Sequence, residues 1–138
     1  EVCGRQAAVL NGREADGYYY EAMADEQLGR VRQGMKAIEK ALRIEPEGAD
    51  LMALKGQLLV GMGKADAAAQ WFHKAWYESG DDDYLMLEGR AWLLDEKPDD
   101  ALECFKKISD KGLLDAAGIN LKDMEQRWPP VSARGVRG

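Results

Sequence analysis

A chain of 138 residues with 19 Lys and Arg against 25 Asp and Glu carries a formal net charge of −6, which disfavours nucleic acid because backbone binding needs clustered cations to displace counterions. Hydrophobic residues at 46% and charged residues at 32% are globular proportions, sufficient for one domain with a sizeable core, and no apolar run approaches the roughly 18 residues of a membrane span. Cys3 and Cys104 make neither a disulfide framework nor a metal spacing; Cys104 reads as a small buried hydrophobe on the apolar side of a helix. Glu1 opens the chain without an initiator Met, so the chain reads as a processed product or an excised piece. A cytoplasmic location is favoured, with a periplasmic or membrane-associated one through a removed segment as the alternative, and compactness and composition suggest a bacterial origin.

In chain order, residues 1–14 read as an N-terminal segment, the end of a preceding repeat helix, because Ala7 lies 34 residues before Ala41 and Gly12 lies 34 before Pro46. Three units follow, at about 15–48, 49–81 and 82–110. Each is a helix, a tight turn and a second helix. In the second unit Leu51, Leu54, Leu58 and Leu59 form one apolar stripe and Ala68, Trp71, Phe72, Ala75 and Trp76 the next. Gly-Met-Gly-Lys at 61–64 separates them, and Gly63 can adopt the left-handed conformation that ends a helix. Pro46 closes the first unit and Gly80 the second; the run Asp81, Asp82, Asp83 offers an N-cap and a charge that suits the next helix dipole. Reading that run as a metal site is weaker, since it has no Gly turn and no Glu at calcium-loop spacing. After the third unit, Leu114, Ala117, Leu121, Met124 and Trp128 keep spacings of three and four, which predicts a capping helix over 111–128, ended by Pro129 and Pro130. Residues 129–138 read as a flexible or expression-derived tail.

The units are copies of one pattern. Small residues recur at Ala22, Gly56 and Gly89, at intervals 56 − 22 = 34 and 89 − 56 = 33. Gly29 and Gly63 stand seven residues after the first two; Gly34, Ala68 and Ala101 stand twelve after all three. Ile38, Phe72 and Phe105 stand sixteen after, and Ala41, Ala75 and Ile108 nineteen after. A period of this length marks a stacked-repeat architecture. The steric reason is close helix approach: small residues sit where two axes cross, and Phe72 and Phe105 fill the adjacent holes as core residues, not as part of a cofactor box.

Small residue, Gly at seven, Ala at twelve, aromatic at sixteen, Ala at nineteen and Pro at twenty-four: the chain resembles the tetratricopeptide repeat family. The resemblance covers about 15–110 and is strongest over LMALKGQLLVGMGKADAAAQWFHKAWYESG at 51–80. The third unit departs at Glu96, where Gly is expected; the first departs at Asp25, where a bulky apolar residue is expected, and at Gly34, where Ala is usual. The resemblance implies an all-α, right-handed α-α superhelix of three helical hairpins plus a C-terminal capping helix. It further implies a concave groove for a protein or peptide partner, lined by Tyr19, Met23 and Glu26, by Ala53, Gln57 and Val60, and by Met86, Arg90 and Leu93. Met and Leu offer adaptable apolar contact, while Gln57 and Arg90 supply donors for a backbone or a carboxylate. The Lys and Asn clamp with which one subfamily holds acidic chaperone C-termini is missing, because Tyr19, Met23 and Gln57 occupy its places.

No catalytic role is expected. The only histidine, His73, is placed by its neighbours on an exposed outer helix, and no nucleophile motif, phosphate loop or His/Cys cluster is present. No cofactor or metal is expected either. The sequence therefore points to a non-catalytic protein-protein interaction module, an adaptor or assembly factor. The alternative is a self-associating scaffold, a homo-oligomer built through repeat ends and exposed aromatics at Tyr18, Tyr20, Trp76, Tyr77 and Tyr84.

Overall fold

A computed structural model describes residues 2–127, with side chains from residue 13 onward, and over this span the chain is helical without strands. The helices are α1 (Val2–Gln27), α2 (Val31–Ile44), α3 (Ala49–Gly61), α4 (Ala65–Ser79), α5 (Asp82–Leu94), α6 (Pro98–Lys107), α7 (Lys111–Ala116) and α8 (Leu121–Arg127). Each of the first six packs against its sequence neighbours, so α1/α2, α3/α4 and α5/α6 are three stacked hairpins. The tail expected at 129–138 lies outside the described residues.

One turn closes every hairpin. The residue after the turn donates its N–H to a carbonyl five residues back: Arg30 N to Asp25 O at 2.7 Å, Lys64 N to Leu59 O at 2.9 Å, and Lys97 N to Trp92 O at 2.8 Å. That closure needs one left-handed residue just before the donor. Gly29 and Gly63 supply it at φ 78° each, and in the third hairpin Glu96 is forced into the same region at φ 61°. The turn is thus kept even where the glycine is missing.

Within each hairpin the small positions admit the large ones. A Cβ placed on Gly56 would lie 2.6 Å from Cε1 of Phe72, and one on Gly89 would lie 2.3 Å from Cε1 of Phe105. Both phenylalanines are fully or almost fully buried, so each ring rests directly on a bare helix backbone. Three successive clusters result. The first joins Ala22, Ile38, Leu54 and Leu58, the second Leu59, Ala69, Phe72 and Ala91, and the third Leu85, Met86, Phe105, Leu114 and Met124. Each cluster draws on adjacent hairpins, so that no hairpin buries its apolar face alone.

Two expectations about the ends change. Residues 1–14 are not a separate preceding helix: α1 runs unbroken from Val2 into the first hairpin, because no Pro intervenes and Gly17, in open space, leaves the helical path undisturbed. The single capping helix expected over 111–128 is instead two short helices within the described residues 111–127, Trp128 lying outside them. Gly118 at φ 73° breaks the run, and Ile119 N donates to Leu114 O at 2.9 Å, so the cap is a shortened hairpin closed by the same turn as the other three. Its two caps are local: Asp110 accepts from Gly112 N at 2.9 Å, and Asn120 accepts from Asp123 N at 3.1 Å. Lys106 pairs with Glu125 at 3.0 Å across α6 and α8, and Asp82 Oδ2 accepts from both the N–H and the hydroxyl of Ser109.

Candidate functional site

The first helices of the three hairpins, α1, α3 and α5, all contribute to one cleft. Where they converge they enclose a cleft of about 290 Å³ lined by Tyr19, Met23, Glu26 and Gln27 from α1, Asp50, Ala53, Leu54 and Gln57 from α3, and Tyr84 and Leu87 from α5. Helical spacing explains the membership: 19, 23 and 26, then 50, 53, 54 and 57, then 84 and 87 each follow one stripe at intervals of three and four.

The cleft brings together five of the nine residues expected from sequence, namely Tyr19, Met23, Glu26, Ala53 and Gln57. Of these Ala53 is buried in the floor and Gln57 is exposed. Val60 is half-buried against the second cluster; Arg90 and Leu93 are exposed on α5, outside the cleft lining. Met86 is 8% exposed, lies in the third cluster with Leu102, Leu114 and Met124, and is not among the residues that line the cleft. Transferring one set of offsets to all three helices assumes that each is equally uncovered. On α5 Met86 shares a hydrophobic cluster with Leu114 and Met124 of the C-terminal helices, and the residues that α5 contributes to the cleft are Tyr84 and Leu87 instead. Asp50 was legible in principle, one helical turn before Ala53 and Leu54 on the same stripe.

Charge and hydrogen bonding give this cleft its character. Asp50, in the first turn of α3, accepts from Leu51 N through Oδ1 at 3.0 Å. Burial and then the Asp50 carboxylate push the Tyr19 phenol above its ordinary value of 10.0. Tyr84 is raised in the same way, by burial first, then Asp50, with Asp81, Tyr19 and Asp83 adding smaller effects. Both phenols therefore stay neutral at neutral pH, with a hydroxyl proton available to donate. No Lys or Arg lines the cleft.

Outside the cleft, His73 is less free than its outer-helix position suggested. Its side chain is 46% exposed, yet Nδ1 lies 3.0 Å from Oε1 of Glu88, which is itself 6% exposed. Trp92 Nε1 donates to the other carboxylate oxygen at 3.1 Å, so both oxygens of this buried acid are satisfied. The i, i+4 pair of Glu88 and Trp92 on one helix was the sequence signal for it. Cys104 is buried nearby, and burial together with Glu88 pushes its thiol far above the ordinary range, leaving an inert neutral group. Among the described residues no group of three or more His, Cys, Asp or Glu is gathered for a metal ion, and no helix is long and apolar enough to cross a membrane. Of the aromatics expected on the surface, Tyr20 and Tyr77 are exposed at 66% and 77%. Tyr18, Trp76 and Tyr84 are half-buried against their own chain.

No protein-family model matches the sequence, and no curated protein matches it. Solved structures do resemble it. The type III secretion chaperone SycD of Yersinia enterocolitica, solved in complex with a peptide of the translocator YopD, aligns with a TM-score of 0.67 at 13% identity, over 81% of this chain and 89% of that one. The MamA protein aligns with a TM-score of 0.66 at 20% identity, over 89% of this chain and 62% of its own length. A thermophilic TPR protein of Thermus thermophilus, TTC0263, aligns with a TM-score of 0.64 at 21% identity, over 90% of this chain and 66% of its own. Stacked hairpins seated on Gly-to-Phe contacts and closed by one recurring turn thus give this chain a tetratricopeptide-like helical-repeat fold.

Proposed function

We propose that the chain is a non-catalytic protein-interaction module that holds a peptide or helix of a partner protein in the cleft formed by α1, α3 and α5, as an adaptor or assembly factor does. The observation that carries this reading is the composition of that cleft: half-buried Tyr19, Met23, Tyr84 and Leu87 offer apolar area, while Glu26, Asp50 and Gln57 offer polar atoms to fix register. A similar fold in SycD is seen with a peptide of its translocator, which supports the same use here. Self-association has less to stand on, since three of the five aromatics it would use are half-buried within their own chain.

The test is capture of partners from lysate by the wild-type chain and by Gln57→Arg. Gln57 is exposed, so the substitution adds bulk and charge to the middle of the cleft while leaving the core intact. Capture should weaken by about tenfold or more, equivalent to at least ~1.4 kcal/mol. Glu103→Arg on the outer helix α6, also exposed, should leave it unchanged. Undiminished capture by Gln57→Arg would move the binding face elsewhere. A shift in molecular mass by light scattering on Gln57→Arg would favour the self-associating scaffold instead.

A further inference from the structure

We infer that the cleft recognises a cationic side chain, a lysine or arginine set between apolar neighbours in the partner's segment. The inference rests on the groove reading above and adds to it the chemistry of the occupant.

The first ground is charge. Glu26 and Asp50 both line the cleft, no Lys or Arg lines it, and neither carboxylate is in an ion pair with any described residue. An anionic segment would meet two carboxylates and no Lys or Arg in the cleft lining. A cationic one would neutralise them.

The second ground is the use of aromatic rings elsewhere in the same chain. Lys40 lies 5.5 Å from the centre of the Tyr18 ring, Lys74 4.2 Å from Trp71, Lys97 5.2 Å from Trp92 and Lys107 5.8 Å from Trp76. On those faces the protein's own lysines occupy the negative faces of its rings. In the cleft no lysine among the described residues lies over the Tyr19 or Tyr84 ring, and the Asp50 carboxylate lines the same cleft. Two neutral phenols, two carboxylates outside any ion pair with a described residue and the apolar side chains of Met23 and Leu87 together match a long aliphatic stem with a cation at its tip.

The experiment uses four short acetylated and amidated peptides of sequence Gly-Leu-X-Leu-Gly, with X as lysine, arginine, norleucine or glutamate. Each is titrated into the ¹⁵N-labelled protein and followed by amide chemical shift. The lysine and arginine peptides should shift the amides of Tyr19, Gln57 and Tyr84 and bind about tenfold or more tightly than the norleucine peptide, with the glutamate peptide weakest. That margin should shrink as salt is raised, because the carboxylates are partly solvent-exposed. Asp50→Asn and Glu26→Gln, close in shape to the natural residues, should each narrow the lysine-over-norleucine margin.

Equal binding of the lysine and norleucine peptides, with shifts still in the cleft, would overturn cation recognition and leave the groove reading standing. Shifts confined to residues outside the cleft lining would overturn both. No shift with any of the four peptides at millimolar concentration would also overturn cation recognition, while the capture experiment with Gln57→Arg decides the groove reading separately.

Discussion

The first hairpin and the two that follow solve one packing problem with different pairs of side chains. In the second and third, bare glycine meets phenylalanine, at Gly56 with Phe72 and at Gly89 with Phe105. At the matching places the first hairpin has Ala22 and Ile38, both fully buried in one cluster. A methyl group has been added on one helix and an aromatic ring reduced on the other. The turn end shows the opposite exchange. Where the later hairpins have Leu59 and Trp92 facing Ala68 and Ala101, the first has Asp25 and Gly34. A Cβ on Gly34 would lie 3.3 Å from Cβ of Asp25, 3.3 Å from Ala22 O and 3.1 Å from Cδ2 of Leu58, so bulk has been lost from both sides and the helices have closed the gap. At the Ala22–Ile38 crossing the summed volume is kept while the residues on both sides change, whereas at the Asp25–Gly34 crossing both side chains are smaller than in the later hairpins.

The largest break in that comparison comes from emptying a hole. Phe105→Ala removes a fully buried ring that rests on Gly89, and it should cost about 3–5 kcal/mol, read as a lower urea midpoint at unchanged slope. Ile38→Ala at the equivalent site of the first hairpin should cost about 2–5 kcal/mol, toward the lower end if Ala22 already fills part of the volume. A cost for Ile38→Ala larger than that for Phe105→Ala would contradict the shared-volume account.

Overfilling comes next. Gly89→Ala puts a methyl group 2.3 Å from Phe105 Cε1, and although alanine is the better helix former the displaced ring should leave a net loss of about 1–3 kcal/mol. The sharper measurement is the double variant Gly89→Ala with Phe105→Ile, which installs the first hairpin's pair in the third. Its loss should be smaller than the sum of the two single losses by about 1–2 kcal/mol. Strict additivity would mean that the two positions do not share one space.

The small and aromatic positions were legible in the sequence because their spacing is set by contact within a hairpin, and the turns were legible because left-handed backbone selects glycine. The break at Gly118 was missed, since Leu114, Ala117, Leu121 and Met124 satisfy helical spacing on both sides of it; the left-handed Gly118 and the Ile119-to-Leu114 hydrogen bond together mark two short helices rather than one. For the cleft, the stripes on α1 and α3 could be read from the pattern, because Tyr19, Met23 and Glu26 on one and Ala53 and Gln57 on the other all line it. On α5 the pattern gave Met86, whose exposure depends on the distant C-terminal hairpin that packs with it. Burial by an element from another part of the chain leaves no mark on local periodicity.

The smallest expected effect concerns the turn that all the hairpins share. Glu96 holds φ 61° where Gly29 and Gly63 hold 78°, and it still allows Lys97 N to reach Trp92 O at 2.8 Å. A side chain with a Cβ in the left-handed region costs about 1–2 kcal/mol relative to glycine. Glycine in turn adds conformational freedom to the unfolded chain, which offsets about 0.4–1 kcal/mol of the gain. Glu96 is exposed and makes no side-chain hydrogen bond or ion pair with any described residue, so nothing else is lost on replacing it. Glu96→Gly should therefore stabilise the protein by about 0.5–1 kcal/mol, a rise in Tm of roughly 2–4 °C for a domain of this size. Glu96→Ala keeps the Cβ and should give none of that rise, which assigns the effect to backbone conformation rather than to removal of a charge.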